Sequence, residues 1–180
     1  DLWHKGVNIL CDSGTYSYAG GLEAEYSLTS GHNTVKPENL EQMNKRGVFL
    51  VYDWTERKDI SHDSNHFSGT MISKTGYEHT RTVSKTETGF MITDIVKGSG
   101  NKCSLLFHTP CKPIISQGGI ELYMDEEKLC VINIDSSEIR VDKGYRSLYY
   151  LAKEEINTII AEYEMKNFQC RMNTTINFFE

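Results

Sequence analysis

The sequence predicts an all-β protein, a large antiparallel β-sandwich of roughly a dozen strands. Three observations carry that expectation. Apolar residues recur with a period of two rather than 3.6, most clearly where Phe168, Cys170, Met172, Thr174, Ile176 and Phe178 alternate with polar neighbours. Gly, Asn and Asp punctuate the chain about every ten residues, as short strands joined by tight turns require. Helical patterning is confined to one or two short stretches.

Taken in order, the opening "DLWHKGVNIL" is strand-like, and Leu22, Ala24, Tyr26 and Leu28 alternate with Glu23, Glu25, Ser27 and Thr29 as a half-buried strand would. "KPENLEQMNK" is the best helical candidate: Pro37 suits a first-turn position and the acidic residues come early, so a single helical turn is expected. Strands are expected at 47–53, 68–73, 77–85 and 89–96, with the polar, aperiodic 55–66 segment as an exposed loop. Cys103, Leu105 and Phe107 mark another strand after the Gly98-Ser99-Gly100-Asn101 turn. Further strands follow at 119–124, 128–134, 138–142, 145–151, 155–164 and 168–179, with Gly118-Gly119 and Asp142-Lys143-Gly144 as turns.

With 180 residues the chain suits one domain, 1–180, with one sizeable core. A hydrophobic fraction of 38% and an aromatic fraction of 11% are too apolar for a disordered chain. No run approaches the roughly 18 apolar residues of a membrane span, so no membrane partner is expected. The formal charge of −6, with Lys and Arg scattered, gives no footprint for a phosphate backbone, which excludes nucleic acid as the expected partner. Convergent basic groups in a cleft could still bind an anionic ligand. The five cysteines lack CxxC or zinc-ribbon spacing and read as buried thiols; a disulfide in an oxidising compartment stays open, with no pairing assigned.

The residues that could carry chemistry begin in "CDSGTYSYAGGLEAEYSLTSGHNTV". Asp12 and His32 are two donors of the kind zinc prefers; alternatively Asp12 satisfies its own turn amides and His32 is an ordinary loop residue. Tyr16 and Tyr18 stand two apart on one face, with Tyr26 on a neighbouring strand. Such rings can stack on sugars and a phenolate can abstract a proton, although strand tyrosines commonly pack into cores. In "GYEHTRTV", Tyr77, His79 and Arg81 alternate on one face, where Arg81 could fork onto a carboxylate or sulfate, or simply join ion pairs on a solvated surface. His4, His62 and His66 have no evident role. There is no GxSxG elbow, phosphate-binding glycine loop, HExxH or dinucleotide fingerprint.

The ordered segments "DLWHKGVNILCDSGTYSY", "YSLTSGHNTV", "EQMNKRGVFLVYDW", "GYEHTRTV", "MITDIVKG" and "LLFHTP" resemble the C-terminal β-sandwich region of the heparinase II/III-like polysaccharide lyases. The likeness runs from residue 1 to about 110; beyond that the chain offers only a compatible series of strands. It implies a fragment of a longer bacterial, periplasmic or cell-envelope protein. An upstream helical domain would complete a cleft for an acidic polysaccharide, whose uronic acid is cleaved by β-elimination. By the same resemblance Asp12 and His32 match two of three ligands of a structural zinc, the third lying upstream. Tyr18, with Tyr16 as substitute, matches the tyrosine that approaches substrate, and Asn33, His79 and Arg81 are the expected substrate contacts. Such a fragment holds at most half a site and is expected to be inactive alone. The rival expectation is a glycan-binding or structural sandwich without catalysis.

Overall fold

The computed structural model describes residues 1–18, 26–46 and 49–179. Among them the architecture is antiparallel β throughout. Two sheets face one another across a single core, with two small ribbons at the margin. The ribbons are β1 (Leu2–His4) with β2 (Val7–Leu10), and β4 (Asn44–Lys45) with β5 (Val51–Tyr52). The smaller sheet runs β14 (Glu138–Tyr149), β15 (Ala152–Glu164), β10 (Lys102–Thr109), β3 (Val35–Pro37). The larger has eight strands in the order β11 (Lys112–Ser116), β12 (Gly119–Met124), β13 (Glu127–Ile134), β16 (Gln169–Phe178), β9 (Gly89–Gly98), β8 (Tyr77–Lys85), β7 (His66–Ser73), β6 (Glu56–His62).

Alternation decides which side chains enter the core. On the smaller sheet Leu105 stands opposite Ala161 and Phe107 opposite Ile159, all four buried. On the larger, Met172 and Ile176 of β16, Ile132 of β13 and Leu122 of β12 point the same way. Side chains two apart share a face, so one register fixes the whole inner layer. Burying these chains contributes about 1.5–3 kcal/mol each, which makes this interface the main source of stability.

Several expectations need correction. Pro37 ends strand β3 rather than starting a helix, and Glu38 and Asn39 form a turn. Proline is tolerated there because its nitrogen owes no ladder bond at the end of an edge strand. The 55–66 segment is not a loop: Glu56–His62 forms edge strand β6, exposed along its length. Neither face of β6 is buried, so it carries no alternation to read. The expected turn at Asp142-Lys143-Gly144 is absent, and β14 runs unbroken across it, Gly144 opposite Ile156. Residues 22–25 of the expected 22–29 strand lie outside the described residues; the rest is not a strand, Tyr26 lying in a helical turn and Thr29–Gly31 forming a single 3-10 turn. Of the 47–53 strand, Val51–Tyr52 pairs with β4.

Candidate functional site

One end of the smaller sheet gathers most of the residues singled out above. Strand β10 organises it. Its first half pairs with β3, Leu105 opposite Val35, and its end receives the chain leaving β2, where the Cys11 amide donates to the His108 carbonyl at 2.9 Å. The Asp12 and His32 loops are therefore fastened to the same strand. Asn33 completes the fastening: its Nδ2 donates to the Cys11 carbonyl at 3.0 Å, while its Oδ1 accepts the His108 amide at 2.6 Å.

Asp12 and His32 converge. Oδ2 of the aspartate lies 2.5 Å from Nδ1 of the imidazole, and Oδ1 accepts the Gly14 amide at 2.8 Å. Asp12 thus satisfies its own turn and still meets His32. Burial pushes the Asp12 carboxyl up, but the hydrogen bonds from His32 and Gly14 outweigh it and hold it below the ordinary value. The hydrogen bond to Asp12, working against burial, raises His32. The two donors fit zinc chemistry, yet a protein site needs three or four, and among the described residues no group of three metal-binding side chains forms.

Past Asp12 the chain is not a strand but an extended segment laid along the tip of the β14–β15 hairpin. Gly14 bridges Ser147, the Ser147 amide donates to the Ser13 carbonyl at 2.8 Å, and the Leu151 amide to the Tyr16 carbonyl at 2.8 Å. Glycine is required at 14: its φ is +70°, and a Cβ would stand 2.2 Å from the Ser147 oxygen. This docking sets the tyrosines. Tyr16 sits beside Tyr26, ring centres 6.5 Å apart, under the ammonium of Lys153 at 5.7 Å. Tyr18 is exposed and stacked between Phe49 and Tyr150 at 5.5 and 5.8 Å.

Between these elements lies a cleft of about 460 Å³, lined by Ser13, Tyr26, Gly31, His108, Tyr145 and Lys153 among others. His108 is buried at its base, with Nδ1 3.3 Å from Asn33 Oδ1. Burial lowers its pKa, which favours the neutral ring. Lys153 also lies 4.9 Å from the centre of the Tyr145 ring, so one rim pairs aromatic faces with positive charge.

His79 and Arg81 lie elsewhere, on the inner face of β8. Tyr77, His79 and Arg81 do share one face, but it is the core face. The partner of His79 and Arg81 is Asp94, fully buried on β9 and directly opposite Arg81. His79 Nε2 lies 2.6 Å from Asp94 Oδ1, and Arg81 clamps both oxygens, Nε to Oδ1 at 2.7 Å and Nη2 to Oδ2 at 3.1 Å. Arg81 Nη1 donates to the Asn33 carbonyl at 2.6 Å. Burial pushes Asp94 up, but the His79 hydrogen bond and the guanidinium beside it hold it below the usual carboxylate range. Asp94 escaped the sequence reading, although its signal was present: a carboxylate at the inward position between Ile92 and Val96 demands a buried cation. His108 escaped it too, because a lone histidine in an apolar strand has no partner in the linear sequence.

The fold and this site define an antiparallel sandwich domain with an aromatic, cationic cleft at one end. The family model described as "Heparinase II/III-like, C-terminal" matches residues 1–175, and the chain belongs to that family. It is similar to solved structures of a heparinase III gene product (22% identity, TM-score 0.73, covering 97% of this chain and 29% of that one) and of the heparan sulfate lyase HepC from Pedobacter heparinus (16%, 0.73, 97% and 29%). A further heparinase III structure shares 14% identity with a TM-score of 0.74, over 97% of this chain and 28% of the other. At these identities the likeness concerns the fold, and the chain spans under a third of those proteins' length. No curated protein sequence matches it.

Proposed function

We propose that this domain is one wall of a polysaccharide-lyase cleft that takes an acidic, uronic-acid glycan, the opposite wall coming from an upstream helical domain of the same parent chain. The observation that carries the reading is the convergence of the Asp12–His32 pair with Tyr16, Tyr18 and the Lys153-rimmed cleft at one end of the sandwich. In this reading the glycan stacks on Tyr18 and Tyr16, and Lys153 attracts its carboxylates or sulfates. The C5 proton of a uronic acid becomes acidic only when the adjacent carboxylate is neutralised. Elimination therefore needs both a base and donors, which two walls can supply from opposite sides. Tyr18 is the residue of this wall assigned to proton transfer.

The roles of Asn33, His79 and Arg81 change in this reading. Each is engaged within the chain, so they act mainly by holding the Asp12 and His32 loops in place, although Asn33 and Arg81 also line a second cavity of about 310 Å³. A structural zinc would be held by Asp12, His32 and a third ligand from a strand upstream of Asp1, and would fix the two loops to that strand.

The test is incubation of the isolated domain and of the intact parent with heparan sulfate, heparin, alginate and hyaluronan, following ultraviolet absorbance of the unsaturated product. The isolated domain should be silent, since it lacks half the positioning and half the electrostatic stabilisation. The parent should turn over one of the four, and lose that turnover on Tyr18→Phe. A parent that binds glycan without turnover would replace this reading with that of a glycan-binding domain. Turnover by the isolated domain, lost on His32→Ala, would make it an enzyme by itself.

A further inference from the structure

The cleft at Lys153 opens on the outer face of the smaller sheet, and a second groove shares that face. His108 of β10 lies opposite Thr158 of β15, and both line the cleft; four residues away on each strand Ser104 lies opposite Glu162, and both line a groove of about 470 Å³. Side chains two apart share a face, so all four positions, with Leu106 and Ile160 between them, stand on the side turned away from Leu105, Phe107, Ile159 and Ala161 of the core. Four residues of strand set the two openings about 13 Å apart.

With the first cleft read as above, as the seat of an acidic sugar, we infer that the second groove is a further subsite for the same glycan. It takes uncharged, hydroxyl-rich sugar units a few places along the chain from the acidic one held at Lys153. The bed is already built. Glu162 forms its floor, Oε2 accepting the Ser104 hydroxyl at 2.8 Å and Oε1 accepting Arg140 Nη1 at 2.9 Å. One wall is the turn after β3, where the Glu38 amide donates to the Lys102 carbonyl at 3.0 Å. The other is the start of β14, where the Ser136 hydroxyl donates to the Glu162 carbonyl at 2.8 Å. A sugar that enters a bed fixed in this way loses little to the ordering of loops.

Charge selects the kind of sugar. Lys36 is closed on Glu41, and Arg140 on Glu162 and Asp142. The Lys102 ammonium and the Glu38 and Glu138 carboxylates remain, all exposed and without a side-chain partner among the described residues. Two free carboxylates against one ammonium repel a second acidic unit. Sugar hydroxyls, in contrast, donate to carboxylates and accept from ammonium, and hydrogen bonds to ionised groups are the stronger kind. The first cleft has the opposite bias, its Tyr145 ring lying beneath the Lys153 ammonium.

The experiment titrates the isotope-labelled chain with size-defined oligosaccharides and follows backbone amide shifts by NMR, which reads weak binding position by position. The probes are hyaluronan and unsulfated heparosan, in which an uncharged sugar follows each uronic acid, and alginate, which is uronate throughout. A short hyaluronan or heparosan oligosaccharide should shift amides around Tyr145 and Lys153. A long one should also shift those of Ser104, Glu138 and Glu162 and bind about tenfold tighter, since the second contact is made within one complex. Long alginate should leave that second set unmoved. The double variant Glu38→Ala, Glu138→Ala, confined to exposed side chains, should abolish the gain with length and keep the affinity for the short probe. The inference is overturned if the long probes leave the second groove unmoved while the first responds, if alginate enters it equally well, or if the double variant keeps the gain. Silence at Tyr145 and Lys153 with every probe would instead overturn the reading of the first cleft, and this inference with it.

Discussion

Replacing Asp94 by asparagine removes one charge from the most buried ionic group of the sandwich while keeping its volume. Asp94 is fully buried and neutralises Arg81 through a bidentate contact, with His79 on the same oxygen. Removing one partner of a buried pair costs about 3–5 kcal/mol because the other charge is left uncompensated. The Arg81 side chain is 23% exposed, so water recovers part of its solvation, and the asparagine carbonyl keeps one acceptor. The lower end applies: about 3 kcal/mol, or about 6–12 °C in Tm for a domain of this size. Thermal and urea unfolding followed by circular dichroism at a β-sheet wavelength measure it. Replacing Asp94, Arg81 and His79 together with apolar residues of similar volume should cost less than Asp94→Asn alone, since no stranded charge remains. A loss below about 1 kcal/mol for Asp94→Asn, or a triple variant less stable than the single one, would refute the argument that charge compensation holds this layer.

Three further predictions follow from the cleft. Gly14→Ala forces a Cβ to 2.2 Å from the Ser147 oxygen at φ +70°, and should cost about 1–3 kcal/mol by urea unfolding while loosening the Tyr18 stack, seen as faster exchange of the Leu151 amide. Asp12 is depressed below 3.8 and His32 raised above 6.5, so the Asp12 contribution is lost as pH falls through its folded value and the His32 contribution as pH rises through its own. Because both side chains are more than a third exposed, the effect should stay below about 1 kcal/mol, and His32→Ala should flatten the stability–pH curve at both ends. After chelation and dialysis the isolated domain should bind zinc weakly or not at all by calorimetry; stoichiometric binding lost on His108→Ala would show that this buried imidazole completes the site.

How much was legible in the sequence depends on whether a signal was local. The β16 alternation places Cys170, Met172, Thr174 and Ile176 inward, and they are inward, because a half-buried strand writes its register into every second residue. Strand β6 left no such trace: an edge strand with both faces in solvent holds its place by pairing with β7 alone. Gly144 looked like a turn because Asp and Lys precede it, yet its missing side chain accommodates the Thr158 hydroxyl, which a Cβ would approach to 2.7 Å. The site divides the same way. Asp12 and His32 stood out through their turn motifs, and they meet. Asn33, His79 and Arg81 stood out as polar residues, but whether such a residue faces a cleft or ties down a backbone depends on Asp94 and on β10, both distant in sequence.

Strand β10 separates two duties that loops often combine. The Asp12 and His32 segments hang from it by backbone amides and by one asparagine, so their paths are set by main-chain geometry and an inward-facing polar layer. The side chains of Tyr145 and Lys153, which line the cleft, and of Tyr16 and Tyr18, which pack on neighbouring aromatic rings, take little part in that suspension. Those outward groups can therefore be exchanged without disturbing the frame that carries them, whereas a change at Asn33 or Asp94 would move the frame itself.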